Sequence, residues 1–272
     1  MGRGSPRLRK TAALACGASM AAAACVPRGA LPSQQVAWVE LALTASGGSE
    51  LEGTYHHHTE PGSSGTWQVV TDRTEGVVRA ARSPALAFDS AAPSPADPWP
   101  LLLQHAIAAV PAQVEMDRQG RPLQLVDPEA WGLAARQAIA EVDVPPGTGE
   151  ALIDPDGFVV NLARTFPGRP RARSTWVRQE RIAGLLATRT ETCGGIDRVD
   201  GERHLRCEGP CTAAADAPGD LFDTVCWTEL WWDRHGLRKV ESGYSGTLIT
   251  LGDGPEPIDL PIAGQRLLVR KR

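Results

Sequence analysis

The stretch that decides the fold is residues 224–242, TVCWTELWWDRHGLRKVES. Its two parts, Thr224–Trp232 and Leu237–Ser242, are rich in apolar and β-branched residues and predict strands. Asp233 accepts a backbone hydrogen bond early in the intervening turn, and Gly236 supplies the positive φ that closes a bulged type I hairpin. The stretch therefore predicts two antiparallel strands joined by a tight turn.

The same Asp-x-x-Gly pattern occurs earlier in the chain, where residues 117–120 join Val114–Met116 to Leu123–Val126. A third hairpin is predicted at Asp200-Gly201, between Thr188–Cys193 and Arg203–Cys207. Further strands are predicted at Val36–Thr44, Glu50–Thr59, Thr66–Thr71, Phe158–Leu162, Thr188–Cys193, Arg203–Cys207, Gly246–Leu251 and Arg266–Arg270.

Two segments have the pattern of amphipathic helices. Trp99–Val110 follows an Asp-Pro pair and places its apolar side chains at helical spacing. Pro128–Val142 follows Asp127, which can cap the helix, and proline is well suited to the first turn. The predicted fold class is α+β: a large antiparallel β-meander, forming a curved sheet, with two inserted helices.

The first 24 residues have the layout of a bacterial export signal. The head of this segment carries four basic residues and no acidic one, and the uncharged stretch Thr11–Ala24 follows it. A charged head, a short apolar region and small residues at the end direct export and cleavage. We expect residues 1–24 to be a signal peptide and residues 36–272 to form a single β-rich domain.

The small residues that precede Cys25 resemble the lipobox of bacterial envelope lipoproteins. The resemblance covers residues 1–25. It implies that Cys25 is lipidated and anchors the protein to a membrane, with residues 25–35 as a tether. The chain departs from the usual pattern at Ala22, where lipoproteins mostly have leucine.

Two alternatives to this anchor remain. Cys16 also follows an alanine, although its apolar region would be only a few residues long. An ordinary secretory signal, cut near Ala24 or Ala30, would release the protein. The predicted location is the bacterial cell envelope, with secretion as the alternative.

The chain is acidic, with a formal net charge of −4. The leader carries four of the 28 basic residues, so the remainder is more acidic than the whole chain. An acidic protein is a poor partner for nucleic acid, because phosphates require a basic patch. The same charge argues against electrostatic binding to anionic lipid.

Four cysteines lie close together in the last third of the chain: Cys193, Cys207, Cys211 and Cys226. An even number in an exported protein predicts two disulfides, because that compartment oxidises thiols. The spacing lacks the paired C-x-x-C pattern of most four-cysteine zinc sites. We expect the bridges Cys193–Cys207 and Cys211–Cys226, with Cys207–Cys226 as the main rival pairing.

Two catalytic motifs are present only in part. Residues 145–150 look like a nucleotide-binding loop, but Glu150 stands where a lysine must bind phosphate. Residues 243–246 look like the turn that carries a catalytic serine, but Thr247 replaces the closing glycine and both flanks are strand-like. The two glycines there indicate a kink or a turn between strands. No catalytic residue and no cofactor follow from these motifs.

The chain has one cluster of histidines, at residues 56–58. On a strand, His56 and His58 share a face, and Glu60 would lie there too if the strand continues. This pair lacks an assured third ligand, and an exposed polar strand edge is the favoured interpretation. A metal-dependent hydrolase remains an alternative function.

The chain has eight tryptophans and only two tyrosines. On the strand Thr224–Trp232, Trp227 and Trp231 share one face and Trp232 takes the other. Trp227 and Trp231 are therefore candidates for lining an apolar ligand site. The alternative, which is favoured for tryptophan in general, is that they fill a core.

The β-rich body, with its hairpins and inserted helices, is similar to the curved antiparallel sheets of envelope lipoprotein carriers. This resemblance rests on pattern over most of the chain, and the cysteine-bearing segment 193–226 is not part of it. It implies a concave sheet that binds an apolar ligand. The leading hypothesis is a non-enzymatic, lipid-anchored envelope protein that binds an apolar ligand or another envelope component. The alternative is a purely structural or interaction lipoprotein, with a filled core.

Overall fold

The computed structural model describes residues 34–251 and 256–272, apart from residues 64, 95, 145 and 146. The predicted signal peptide, Cys25 and all but the last two residues of the tether lie outside the described residues. Within the described part of the chain, no helix is both long and apolar enough to cross a membrane.

The described residues form one large antiparallel sheet and three α-helices. The strands are β1 Val36–Ser46, β2 Ser49–Pro61, β3 Thr66–Ala80, β4 Ser83–Asp89, β5 Ala112–Met116, β6 Pro122–Leu125, β7 Thr175–Ile182, β8 Leu185–Cys193, β9 Asp197–Val199, β10 Glu202–Ala213, β11 Gly219–Asp233, β12 Gly236–Leu251 and β13 Pro257–Arg270. The helices are α1 Trp99–Ala108, α2 Pro128–Ala140 and α3 Pro155–Thr165. The predicted fold class is confirmed.

The strand order is β6-β5-β3-β2-β1-β13-β12-β11-β10-β8-β7, with β4 paired to β3 and β9 paired to β10. The sheet is therefore two meanders, β1 to β6 and β7 to β13, rather than one continuous meander. The first and last strands join them in the middle of the sheet, where Trp38 pairs with Arg270 and Ser46 pairs with Ile262.

The hairpin at residues 233–236 forms as predicted between β11 and β12. The side chain of Asp233 accepts a hydrogen bond of 2.7 Å from the backbone N–H of His235, and Gly236 has a φ of +110°.

The turn expected at residues 243–246 is wrong, because β12 runs through them without a break. A Cβ at Gly243 would lie only 2.6 Å from the Trp227 ring, so glycine serves this close approach rather than a turn.

The strand predicted at Phe158–Leu162 is also wrong, because these residues belong to α3. Pro155 occupies the first turn of the helix, where proline loses no hydrogen bond. Val159 and Leu162 lie three residues apart on the buried side of α3. The helix packs on both β6 and β7, and so links the two outermost strands of the sheet.

The turn at Asp200-Gly201 joins the short strand β9 to β10, not β8 to β10 as predicted. The three residues of β9 add an extra strand beside the start of β10. Cys193 on β8 is nevertheless the register partner of Cys207 on β10.

Both disulfides are the pairs that the sequence predicted. Cys193–Cys207 joins β8 to β10, and Cys211–Cys226 joins β10 to β11. Disulfides persist where thiols are oxidised, so they indicate a non-reducing, extracytoplasmic location.

The three helices cover one face of the sheet, which we call the helix face. Residues that pair across antiparallel strands share a face, and this places Trp38, Leu230 and Trp232 together on the helix face. These side chains are fully buried, and Phe166 at the end of α3 packs edge-on against Trp38 at 5.8 Å between ring centroids. A continuous core thus fills the space between the sheet and the helices.

Replacing Cys193 and Cys207 together by alanine should lower the free energy of unfolding by about 3 kcal/mol, because the bridge restrains residues 14 apart in the unfolded chain. Removal of the Cys211–Cys226 bridge should cost a similar amount. Urea unfolding followed by tryptophan fluorescence measures both changes. Titratable thiols in the native, non-reduced protein would contradict the prediction.

Candidate functional site

The face of the sheet opposite the helices, which we call the open face, carries a groove of about 400 Å³. The groove is lined by Leu43, Thr44, Ala45, Glu50, Leu51, Glu52, Trp227, Tyr244, Ala263, Gly264 and Gln265. The apolar side chains come mainly from β1, β11 and β13, and the carboxylates come from β2. The groove is therefore apolar with acidic groups on one side.

The strand register explains why residues so distant in sequence meet in this groove. Trp227 pairs with Gly243, Gly243 with Gln265, Gln265 with Leu43, and Leu43 with Glu52. Paired residues share a face, so this row crosses five strands on the open face. The Trp227 ring packs directly on Gly243, and a larger side chain at position 243 would collide with the ring.

The two tryptophans proposed from the sequence share the open face but have different surroundings. Trp227 is partly buried and lines the groove. Trp231 lies four residues further along β11, with the His204 ring at 4.8 Å and the ammonium of Lys239 4.0 Å above its ring. Trp231 is thus engaged by its neighbours and is not among the groove residues.

The other tryptophans mostly fill the core. Trp38, Trp131, Trp176 and Trp232 are buried. Trp67 packs against the same core while partly exposed, whereas Trp99 at the start of α1 is 50% exposed. Core filling therefore accounts for most of the tryptophan content, and Trp227 is the one that reaches the groove.

Large apolar side chains elsewhere on the open face are also exposed. Leu41 lies two residues before Leu43 on β1, and Phe222 and Val225 extend the apolar surface along β11. Phe222 has 57% of its surface exposed. Scattered apolar residues are ordinary on a protein surface, but a cluster on one face is typical of a binding surface.

Sequence reasoning missed a group of charged residues buried on the helix face. Arg178 and Glu180 on β7 meet Arg189 and Glu191 on β8, and all four side chains are almost fully inaccessible to solvent. Arg189 lies 3.0 Å from Glu180 and 2.8 Å from Glu191, and Arg178 lies 3.2 Å from Glu191. Thr228 on β11 donates a hydrogen bond of 2.8 Å to Glu191. We call these five residues the buried ion network.

A third buried carboxylate on the helix face is that of Glu40 on β1. The Nε atom of Arg266 is 2.9 Å from one of its oxygens. The other oxygen is 3.1 Å from His57 Nε2 and accepts a hydrogen bond of 2.9 Å from Thr165. Burial alone would raise the pKa of Glu40, but Arg266 and the hydrogen bonds from His57 and Thr165 lower it to about 2. Glu40 is therefore ionised at any physiological pH.

Arg164 on α3 lies between Glu40 and the buried ion network. Burial, and after it the charge of Arg266, lower the pKa of Arg164 to about 10, against the opposite effect of Glu180, Tyr244 and Glu40. Within the part of the chain that the structure describes, Arg164 forms no salt bridge, and its Nε atom is buried without a hydrogen bond.

The histidine cluster does not form the exposed strand edge that the sequence suggested. β2 lies inside the sheet, and His57 is buried, with Thr71 at 2.9 Å from Nδ1 and Glu40 on its other nitrogen. His56 contacts Lys271, and His58 pairs with Asp72 at 2.6 Å. Among the described residues, no group of three or more metal-ligating side chains is positioned to hold a metal ion.

Comparison with known proteins gives a fold and no family. No protein-family model matches the sequence, and no curated protein matches it. Among solved structures, the chain is similar to one that concerns lipid–protein interactions in lipovitellin, with a TM-score of 0.52 at 10% sequence identity. The similarity covers 89% of this chain and 25% of the lipovitellin chain, so the chain spans about a quarter of that protein. At this identity the likeness shows the fold alone, a large curved antiparallel sheet.

Replacing Glu40 by glutamine should lower the free energy of unfolding by about 3 kcal/mol at neutral pH, because it leaves the Arg266 charge without its counter-ion. The folded-state pKa of Glu40 is lowered, from 4.5 to about 2. The carboxylate therefore contributes its full stability above pH 4.5 and loses it as the pH falls toward 2. The difference between the wild type and Glu40→Gln should shrink over that range in urea unfolding.

A matched control is Glu150→Gln, since Glu150 forms an exposed salt bridge with Arg136. This variant should unfold within about 1 kcal/mol of the wild type, as expected for surface pairs. If Glu40→Gln and Glu150→Gln behave alike from pH 7 to pH 3, the role assigned to Glu40 is wrong.

Proposed function

We propose that this protein is an exported envelope protein, anchored by lipid on Cys25, which acts as a non-enzymatic module that binds an apolar ligand. The observation that carries the proposal is the open-face groove, in which Trp227, Leu43, Ala45 and Ala263 provide an apolar surface. Its volume of about 400 Å³ lies within the usual range for small-molecule sites, roughly 300–1,000 Å³.

The ligand is proposed on the open face because the other face is occupied. The resemblance to lipoprotein carriers implies a concave sheet that binds the ligand, but on the helix face buried Trp38, Phe166 and Trp232 fill the space between the sheet and the helices. A ligand there would have to displace a close-packed core. A ligand in the groove needs only to remove water from side chains that are already exposed, which is favourable for apolar surface.

An acyl chain is the ligand class that fits best. The groove runs across neighbouring strands and presents aliphatic carbon and one indole ring, with the polar atoms of Glu50, Glu52 and Gln265 beside them. Lipid–protein interactions are described for lipovitellin, which shares the fold, and this supports a lipid as the first ligand to test.

The groove is tested with the fluorescent fatty acid cis-parinaric acid. Trp227→Ala should weaken its binding by about tenfold or more, because it removes the largest apolar contact. Ala263→Trp should have the same effect by filling the groove, and since Ala263 is exposed, this variant retains the fold. Trp99→Ala is the matched control and should bind as the wild type does, because Trp99 is exposed and is not among the groove residues.

A wild-type protein that does not bind the probe, or an Ala263→Trp variant that binds it normally, would refute the ligand. The groove and the apolar open face would then support the second candidate, a structural or interaction lipoprotein whose open face contacts another envelope component. Thermal unfolding of each variant shows whether the fold is intact.

The anchor is tested separately. The mature protein from the membrane fraction should begin at Cys25 and exceed the mass of residues 25–272 by the attached acyl and diacylglyceryl groups. Cys25→Ser should accumulate as unprocessed protein or leave the membrane. A mature chain that begins near Ala30 and carries no lipid would refute the anchor and leave the groove proposal untouched.

A further inference from the structure

The charges on the helix face do not balance. Buried Glu40, Glu180 and Glu191 provide three carboxylates, whereas buried Arg178 and Arg189, together with half-buried Arg164 and Arg266, provide four guanidinium groups. Each carboxylate already has a close partner: Glu191 and Glu180 contact Arg178 and Arg189, and Glu40 contacts Arg266. The surplus charge is therefore that of Arg164.

Three of these guanidinium groups also have a buried hydrogen-bond donor without an acceptor. In Arg189 it is the Nε atom, although the terminal nitrogens of that group contact Glu180 and Glu191. The Nε atom of Arg164 and one terminal nitrogen of Arg266 are buried and hydrogen-bond to no described residue. A buried donor that lacks an acceptor is costly, and more so when it carries charge. The two arginines are also close enough for the charge of Arg266 to disfavour that of Arg164. An anion between them would remove both costs.

The sheet beside Arg266 is lined by small residues. Arg266 pairs with Ala42 on β1 and with Ser242 on β12, and Ala42 pairs with Gly53 on β2. The side chain of Arg266 is 27% exposed, so a small molecule can reach it from solvent. The Tyr55 ring covers the position of a Cβ at Gly53, and the Tyr244 ring covers that of a Cβ at Gly264. Two tyrosine rings therefore bound the space beside the two unsatisfied guanidinium groups.

We propose that Arg164 and Arg266 form a binding site for one oxyanion of the carboxylate or phosphate class. Guanidinium groups bind such anions through paired, charge-assisted hydrogen bonds, and the two unsatisfied donors are of this kind. The site lies on the helix face, opposite the groove, and does not depend on the function proposed for the groove.

The test measures the binding of sodium acetate and of sodium phosphate to the full chain at low ionic strength. Calorimetry gives the stoichiometry and affinity, and thermal unfolding gives the effect on stability. The wild type should bind one equivalent of at least one anion, and that anion should raise the unfolding temperature, since it binds the folded state. A wild type that binds neither anion overturns the proposal.

Arg164→Met should weaken anion binding by about tenfold or more, the loss expected for charge-assisted hydrogen bonds. In the absence of anion, Arg164→Met should unfold at the same or a higher temperature than the wild type, because the repulsion from Arg266 is gone. Arg136→Met is the matched control, an exposed helical arginine paired with Glu150, and should bind the anion as the wild type does. An Arg164→Met variant that folds and binds with wild-type affinity overturns the proposal.

The source of the anion is decided by comparing octanoate, acetate and octanol. If a lipid head group provides the carboxylate, octanoate should bind more tightly than acetate, and Arg164→Met should weaken octanoate but not octanol. If the ligand is a small free anion, octanoate and acetate should bind equally, again in an Arg164-dependent manner. Binding of all three that is independent of Arg164 contradicts the site.

Discussion

The contacts of Glu40 connect the parts of this structure that are most distant in sequence. Glu40 lies on β1, at the seam where the first strand pairs with the last, and its partners are His57 on β2, Arg266 on β13 and Thr165 at the end of α3. One carboxylate thus links the two meanders to each other and to the helix between them. A buried ion pair contributes little net stability, but it penalises every arrangement in which one partner is left alone. We therefore infer that Glu40 fixes the register of β1 against β13. Both faces of the sheet depend on this register.

The two faces of the sheet depart from the usual division into an apolar inside and a polar outside. The helix face buries Arg178, Glu180, Arg189 and Glu191 beside its aromatic core, whereas the open face exposes Leu41, Phe222 and Val225. Burial of the charges is possible because each carboxylate has a guanidinium partner at hydrogen-bonding distance. The exposed apolar residues have no such compensation within the described chain. This asymmetry is the strongest structural reason to regard the open face as a surface made for contact.

The hairpins and two of the helices could be predicted because their causes are local. Asp233 and Gly236 determine their own turn, and Asp127 accepts a hydrogen bond from Ala130 at the start of α2. The helix α3 was missed because Phe158–Leu162 is rich in β-branched and aromatic residues, and its packing on β6 and β7 outweighs that preference. The pairing of β1 with β13 could not be predicted, because nothing in either strand specifies a partner more than 200 residues away.

The candidate sites could be predicted only in part. The sequence of one strand shows which of its residues share a face, but it does not show which strands lie beside it. Trp227 and Trp231 could be placed on one face from their spacing, but Leu43, Ala45 and Ala263 join Trp227 only through the strand order. The buried charges were missed because Arg and Glu are normally exposed. A signal for them was present on β7, where Trp176 and Ile182 share the parity of Arg178 and Glu180, and Val177 has the opposite one. Such alternation, with large apolar residues at both ends of the strand, therefore predicts a buried face even where the residues between them are charged.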